Sequence, residues 1–288
     1  MDEVKRIFIH IRWPLQSFTL LGFLFSLVIC KIPFSSSILI QFISWLFLCA
    51  GITVYNSYYD KDTHPVAGLE NPPPTSKTML LGAYTLKLLG LLLALSLKNM
   101  FFIILYLLIV LLSVLYSHDS FRFKSNGYVA VFFNWIIGIS TFLVPTLLGS
   151  NNFYTIAFGG FSSGFFLSSI YLMMQVHQHK EDRQRNDRSI MVMYGRKVTL
   201  GLAMISLVIA GILSFVALLV AHFSYQYFLI LVLYFSLVIV FSFIWLLKKG
   251  SSMTDFKIMN RLTLRISYST NALLMAIYVY EVILRSSR

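Results

Sequence analysis

Two polar clusters contain the side chains best suited to chemistry in this chain, and each follows a long apolar segment. The first runs from Asn56 to Asp60, and the second runs from Gln178 to Asp182. Both read polar-x-x-x-Asp, and residues four apart share one face of a helix. Each cluster would therefore place an amide and a carboxylate at the end of a membrane helix.

Two such helix ends facing each other can hold divalent cations and a diphosphate. Mg²⁺ takes oxygen ligands and usually binds through one or two carboxylates together with substrate phosphates. Arg122 and Lys124, in a separate polar stretch, are candidates for the remaining phosphate oxygens. The alternative is that the acidic residues are solvated loop charges and that these two basic residues only orient the chain in the membrane.

The composition indicates an integral membrane protein. The 288 residues are 58% hydrophobic and only 12% charged, whereas a soluble domain has about 25% charged residues. The net charge of +12 would suggest a polyanionic partner in a soluble protein. Here most basic residues lie between apolar segments, as expected for loops on one side of a bilayer, so no nucleic-acid partner is expected. Arg12, before the first such segment, fits an interfacial anchor or, as an alternative, a binding group for an acceptor substrate.

The apolar segments predict an all-α fold in which residues 1–288 form a single polytopic domain. A helix needs about 20 mostly apolar residues to cross the hydrocarbon core. Nine segments meet this length: 14–31, 37–56, 78–96, 99–117, 127–149, 153–178, 198–220, 225–247 and 266–284.

The connections alternate between charged and nearly uncharged. The charged loops at about 57–77, 118–126 and 179–197 are predicted to be cytoplasmic together with the N-terminus, which puts the C-terminus outside. The two polar clusters follow the second and sixth segments, so they lie four helices apart. This spacing predicts two parallel four-helix repeats plus a ninth helix, with both clusters on the cytoplasmic side.

These features resemble the UbiA superfamily of intramembrane prenyltransferases, whose members have nine transmembrane helices. The family has an N-x-x-x-D-x-x-x-D motif after helix 2 and a D-x-x-x-D motif after helix 6. The residues of this chain at those motif positions are Asn56, Asp60, His64, Gln178 and Asp182. The stretches 116–124 and 186–195 also look like family segments, so the resemblance covers nearly the whole chain.

Two positions depart from the family pattern. His64 replaces one acid of the first motif, and Gln178 replaces one acid of the second. Asp62 and Glu181 are neighbouring carboxylates able to supply the missing ligands. Without them, metal binding would be weaker or the chemistry altered.

The resemblance implies a transferase of alkyl or aryl groups other than methyl. It would move an isoprenoid chain from a prenyl diphosphate donor to a hydrophobic or aromatic acceptor, with Mg²⁺-dependent ionisation and release of diphosphate. A terpene cyclase on the same scaffold, and a non-catalytic transporter or scaffold, remain alternatives. The implied metal ligands are Asp60, Asp62, Asp182 and Glu181. The implied diphosphate-binding residues are Asn56, Gln178 and Arg188. The implied catalytic residues are Asp60, Asp182, Lys124 and Arg122.

Overall fold

The computed structural model describes residues 2–149, 152–223, 225–248 and 256–280. These residues form ten α-helices and one short 3₁₀ helix, Phe123–Ser125, and no β-strand occurs among them. The α-helices are α1 Glu3–His10, α2 Trp13–Ile29, α3 Ser36–Asp60, α4 Lys77–Ser96, α5 Met100–Ser117, α6 Gly127–Thr146, α7 Phe153–Gln184, α8 Ile190–Val220, α9 Tyr225–Lys248 and α10 Phe256–Tyr278.

Polar residues ahead of the apolar runs set where several helices begin. The side chains of Ser35, Asn99 and Asn126 each accept a hydrogen bond from a backbone N–H in the first turn of α3, α5 and α6. These bonds satisfy N–H groups that have no partner within the helix. Beyond the caps, a helix satisfies every backbone polar group within one segment, as a hydrocarbon environment requires.

Seven helices, α3 to α9, are long and apolar enough to cross a membrane, and α1 with α2 would make an eighth span bent by 44°. The chain is therefore an all-α, multi-pass integral membrane protein. The predicted count of nine is not confirmed. The ninth predicted segment, 266–284, falls partly in α10, which begins ten residues earlier and includes the charged Lys257, Arg261 and Arg265. Residues 281–284 of that segment lie outside the described residues.

Two helices continue past their predicted ends and include the polar clusters. The helix predicted at 37–56 extends to Asp60, and the one predicted at 153–178 extends to Gln184. The helix predicted at 198–220 begins earlier, at Ile190, and is interrupted at Gly195, whose φ of 76° and ψ of 176° are not helical. The predicted loop 179–197 is therefore largely helical, whereas most of the predicted loop 57–77 lies outside the helices.

α2 lies at the centre of the bundle, against α3, α6, α7 and α10. α3 packs most extensively along α4, and α7 packs along α8 and α6. In the core, Trp45 on α3 is fully buried, and its Nε1 donates to Thr141 Oγ1 on α6 at 3.0 Å. Between α2, α3, α5, α6 and α7 the bundle leaves a cavity, and the polar clusters lie at one end of it.

Candidate active site

The cavity has a volume of about 310 Å³ and differs in character along its length. Its polar end is formed by the ends of α3 and α7 and the segments that follow them. Deeper along α7 the lining becomes apolar, with Phe166 and Ile170 facing Phe18 and Leu21 of α2. At 1.5 Å per residue, Phe166 lies about 24 Å along the helix axis from the carboxylate of Asp182. The cavity therefore suits a ligand with a charged head and a long apolar tail.

The first polar cluster is held by a lysine from a different part of the chain. Asn56 Nδ2 donates to Asp60 Oδ2 at 2.9 Å within the last turn of α3. Lys124, in the 3₁₀ helix, donates to Asn56 Oδ1 at 3.1 Å and forms a salt bridge with Asp60. Ser117, the last residue of α5, also donates to Asn56 Oδ1, at 2.9 Å. The structure thus brings together Asn56, Asp60 and Lys124, as the sequence suggested.

Asp62 lies between two arginines. Lys61 ends α3 in the left-handed conformation, at φ 50° and ψ 40°, and after it Asp62 lines the cavity. Its carboxylate accepts hydrogen bonds from Arg12 at 3.2 Å and from Arg185 at 2.6 Å. Arg12 is buried at the bend between α1 and α2 and also donates to Ser57 Oγ at 2.9 Å. The first interpretation of Arg12, as an interfacial anchor, is therefore wrong, because its charge is satisfied inside the site.

Glu181, on α7, connects this helix to the segment after α3 through hydrogen bonds. Its Oε1 accepts hydrogen bonds from the backbone N–H of Thr63 at 3.1 Å and of His64 at 2.9 Å, and it lies 3.1 Å from His64 Nδ1. Burial opposes ionisation, but these hydrogen bonds outweigh it and hold the pKa of Glu181 below its usual value. The His64 side chain is 56% exposed and does not line the cavity.

Asp182 is the carboxylate of the site with the fewest protein partners. It lines the cavity one turn beyond Gln178, and burial raises its pKa to about 6. It forms no salt bridge with any side chain that the structure describes, in contrast to Asp60 and Asp62. Asp182 is therefore the group best placed to bind an added cation.

Two predicted phosphate ligands lie behind the cavity wall. Arg122 donates two hydrogen bonds, of 3.2 and 3.0 Å, to the carboxylate of Asp187, which does line the cavity. The side chain of Arg188 is exposed, while its backbone N–H donates to Ser125 O and its carbonyl accepts from Gly127 N. Neither arginine lines the cavity, and their roles towards diphosphate stay predictions.

Sequence reasoning gave no role to Arg185 or to a buried polar group deeper in the cavity. Gln175 Nε2 donates to the Tyr171 hydroxyl at 2.8 Å, and Tyr171 is hydrogen-bonded to Tyr116 on α5. Tyr171, Gln175, Gln178 and Asp182 recur at i, i+4, i+7 and i+11, which is one face of a helix. That periodicity, read back from Asp182, was the signal that could have found this group.

The donor atoms of the site fit a hard divalent cation. Carboxylate and amide oxygens are the ligands that suit Mg²⁺ and Mn²⁺. Among the residues described, no group of three or more His, Cys, Asp or Glu side chains is close enough to hold a metal ion by itself. Mg²⁺ usually needs only one or two carboxylates, with substrate phosphates completing the shell. Asp182, which accepts a hydrogen bond from Ser189 but forms no salt bridge among the described side chains, meets that requirement.

A multi-pass helical bundle, enclosing a cavity with a carboxylate-rich end and an apolar end, defines an intramembrane protein that handles amphiphilic molecules. Residues 17–267 match the model of the UbiA prenyltransferase family, and the chain belongs to this family. It is a prenyltransferase, and the resemblance identified from the motifs is confirmed. No curated protein matches the chain.

Solved structures share the fold at low sequence identity. A digeranylgeranylglyceryl phosphate synthase is 22% identical, covers 98% of this chain and 99% of its own, and has a TM-score of 0.66. A UbiA homologue from Archaeoglobus fulgidus, solved with DMAPP and Mg²⁺, is 15% identical, with coverages of 93% and 99% and a TM-score of 0.68. A homologue from Aeropyrum pernix K1 is 13% identical, with coverages of 91% and 97% and a TM-score of 0.68.

Proposed function

We propose that this chain ionises a prenyl diphosphate in its cavity and transfers the isoprenoid chain to a hydrophobic or aromatic acceptor. The main supporting observation is that Asp60 and Asp182, from segments far apart in sequence, line one end of a cavity whose other end is apolar. The structures of the Archaeoglobus fulgidus homologue with DMAPP and Mg²⁺, and with GPP and Mg²⁺, support the donor class and the metal.

The roles follow the chemistry of the side chains. Mg²⁺ supplies positive charge that stabilises the departing diphosphate. Basic side chains next to the diphosphate add to that stabilisation as charge builds on its oxygen atoms. In our proposal the metal is held by Asp60, Asp62, Asp182 and Glu181. The diphosphate is bound by Asn56, Gln178 and Arg188. The charge that builds on the leaving group is neutralised by Lys124 and Arg122.

In the proposed reaction, bond breaking and bond making both take place at the allylic group of the donor, next to the polar end of the cavity. The bond between the allylic carbon and the bridging oxygen breaks, and its electron pair leaves with the diphosphate. The allylic cation stays next to the polar end, among aromatic side chains such as Phe133 and Tyr116, which exclude water and attract a cation to their ring faces. The acceptor then supplies the electron pair for the new bond and releases a proton.

We also propose nine spans, with the N-terminus and the polar end of the cavity in the cytoplasm and the C-terminus outside. In this arrangement α1 and α2 form one bent span and α10 forms the ninth. Equivalent packing supports two four-helix repeats, because α3 packs along α4 as α7 packs along α8. The charged segments after α3 and α7 support a common cytoplasmic side.

The test is diphosphate release by the purified protein in lipid nanodiscs. Prenyl diphosphates of several lengths are supplied with and without Mg²⁺ and with and without candidate acceptors. Asp60→Asn and Asp182→Asn should each lower Mg²⁺-dependent release by about 100-fold or more, since each removes a charge from the reacting site. Glu70→Gln is the control, because Glu70 is 48% exposed, pairs with Lys257 and does not line the cavity.

The outcomes separate the candidate functions. Release that requires an acceptor supports the transferase, and the mass of the product identifies the acceptor. Release without an acceptor, with a product of the donor's own carbon skeleton, would favour a cyclase. Full activity of both Asp60→Asn and Asp182→Asn would contradict the metal assignment, and no release under any condition would favour a non-catalytic membrane protein.

A further inference from the structure

Arg185 has no role in the reaction as described so far, although it lines the cavity. Its guanidinium lies 2.6 Å from Asp62, 3.5 Å from Glu181 and 3.8 Å from Asp60. It therefore contacts carboxylates both from the segment that ends α3 and from α7. Among the described side chains it is the one cation within salt-bridge distance of both groups.

The carboxylates around Arg185 each have a second partner. Asp60 is paired with Lys124, Asp62 with Arg12, and Glu181 accepts hydrogen bonds from the backbone after α3. A movement of Arg185 would therefore not leave any of them as an isolated buried charge, which is the costly outcome.

Arg185 is the most exposed of the three basic side chains that line the cavity. Its side chain is 23% exposed, against 6% for Arg12 and 8% for Lys124. An arginine presents a planar set of donors that matches a phosphate as well as a carboxylate. The guanidinium can therefore exchange a carboxylate for a phosphate without losing its hydrogen bonds.

The charges at the polar end are nearly balanced within the protein. Five carboxylates line it, and they are matched by four basic side chains, of which one, Arg122, reaches Asp187 from behind the wall. A divalent cation arriving alone would meet the positive charge of Arg185. A diphosphate arriving alone would meet the carboxylates. When the two ligands bind together, the metal can bind the carboxylates and the diphosphate can bind the guanidinium.

We propose that Arg185 competes with the divalent metal ion for Asp60, Asp62 and Glu181, and that diphosphate relieves this competition by binding the guanidinium. This inference rests on the proposed function. Metal and diphosphate then strengthen each other's binding, and by thermodynamic linkage the two effects are equal. Arg185 is in this sense a residue that couples the two ligands.

The experiment measures Mn²⁺ binding to the purified protein in nanodiscs by electron paramagnetic resonance, with and without inorganic pyrophosphate. Free Mn²⁺ is corrected for its complex with pyrophosphate. The unaltered protein should bind Mn²⁺ about 5- to 150-fold more tightly with pyrophosphate present, the usual range of such coupling. In the absence of pyrophosphate, Arg185→Gln should bind Mn²⁺ more tightly than the unaltered protein does. Adding pyrophosphate should then raise the Mn²⁺ affinity of this variant much less. Arg185→Lys should fall between them, because it keeps the charge but not the planar set of donors.

Arg183→Gln is the matched control. It removes the same charge two residues earlier, in the last turn of α7, but Arg183 is exposed and forms no salt bridge within the described part of the chain. It should bind Mn²⁺ as the unaltered protein does. Size-exclusion profiles and thermal unfolding of each variant check the fold.

Two results would overturn the inference. The first is that Arg185→Gln has the same Mn²⁺ affinity as Arg183→Gln without pyrophosphate. The second is that Arg185→Gln keeps the full effect of pyrophosphate. If the unaltered protein bound no Mn²⁺ under either condition, the metal-dependent function itself would fail, together with this inference.

Discussion

At the scale of single residues, the site depends on ion pairs whose members come from different parts of the chain. Lys124 and Asp60 are both largely buried, at 8% and 11% side-chain exposure, so neither is well solvated by water. A buried pair adds little to stability over an apolar pair of the same shape, but removing one member leaves a charge in an unfavourable place. Such residues affect folding and activity together, and the two effects have to be separated by experiment.

Replacing Lys124 should affect both properties. Lys124→Met leaves the Asp60 carboxylate without its closest cation, and we expect a loss of about 3 kcal/mol in stability as well as of diphosphate release. Thermal unfolding in detergent measures the first effect, and the nanodisc assay measures the second. The double variant Asp60→Asn with Lys124→Met should recover most of the stability but none of the activity. Unchanged stability of Lys124→Met would show that the pair is not needed for the fold.

Glu181 can be tested for a positioning role that is separate from metal binding. Glu181→Ala removes the acceptor of the Thr63 and His64 N–H groups, whose loss costs about 1.5–3 kcal/mol for a charged acceptor. Hydrogen exchange at these two amides should therefore become faster. Glu181→Gln keeps an oxygen acceptor and should keep most of the protection while losing the carboxylate charge. Equal exchange rates in Glu181→Ala and the unaltered protein would rule out the positioning role.

At the scale of elements, the break in α8 sets where the helix leaves the site. Gly195 has φ 76° and ψ 176°, a region that essentially only glycine adopts, and an added Cβ there would meet nothing within 4 Å. The requirement is therefore one of backbone conformation, not of space. Two glycines four residues apart in α7, Gly160 and Gly164, differ in how closely their neighbours approach. A Cβ on Gly164 would lie 2.8 Å from the Trp135 ring, while one on Gly160 would make only ordinary contacts, so only Gly164 is needed for packing.

Gly195→Ala should destabilise the protein by about 1–3 kcal/mol, because alanine is strained in this backbone conformation. Gly201→Ala is the matched control in the same helix, since it also has open space around it but lies within the helical part. That change should be neutral or stabilising by up to about 1 kcal/mol. Thermal unfolding of the two variants side by side makes the comparison. If both alanines behaved alike, the break at Gly195 would not be a feature of the folded protein.

At the scale of the whole molecule, the reaction requires one face of the bundle to admit the charged head of the donor. The charged segments that surround the polar end of the cavity predict that this face is cytoplasmic. The same end contains Asp119, whereas Pro33 lies in the short connection between α2 and α3, at the opposite end of the helices. These two positions provide a direct test of orientation.

Single cysteines at Asp119 and Pro33 should label from opposite sides of the membrane. In a background with Cys30 and Cys49 replaced, a membrane-impermeant maleimide added to intact cells should modify Pro33→Cys but not Asp119→Cys. Permeabilisation should make Asp119→Cys reactive. Labelling of Asp119→Cys in intact cells, with Pro33→Cys protected, would invert the proposed orientation.

The sequence by itself determined the all-α membrane class and the family, and it predicted several of the polar residues that line the cavity. These follow from local properties, because an apolar run of about 20 residues can only be helical in lipid, and i, i+4 spacing fixes which side chains share a face. Asn56 and Asp60 share a face as this spacing predicted, whereas Lys124 reaches them from a segment distant in the chain. The count of nine spans is not confirmed, because the charged first half of α10 lowers its hydropathy.

Only the tertiary structure decided which charges meet. Arg12, Asp62 and Arg185 lie far apart in the chain, yet both arginines donate hydrogen bonds to Asp62 in the folded protein. The three are brought together by the packing of α2, α3 and α7, which no local pattern specifies. For the same reason sequence could not show that Glu181 is committed to backbone N–H groups while Asp182 is left without a salt-bridge partner in the described structure. Partner choice is set by distances between helices, and the sequence gives only positions along them.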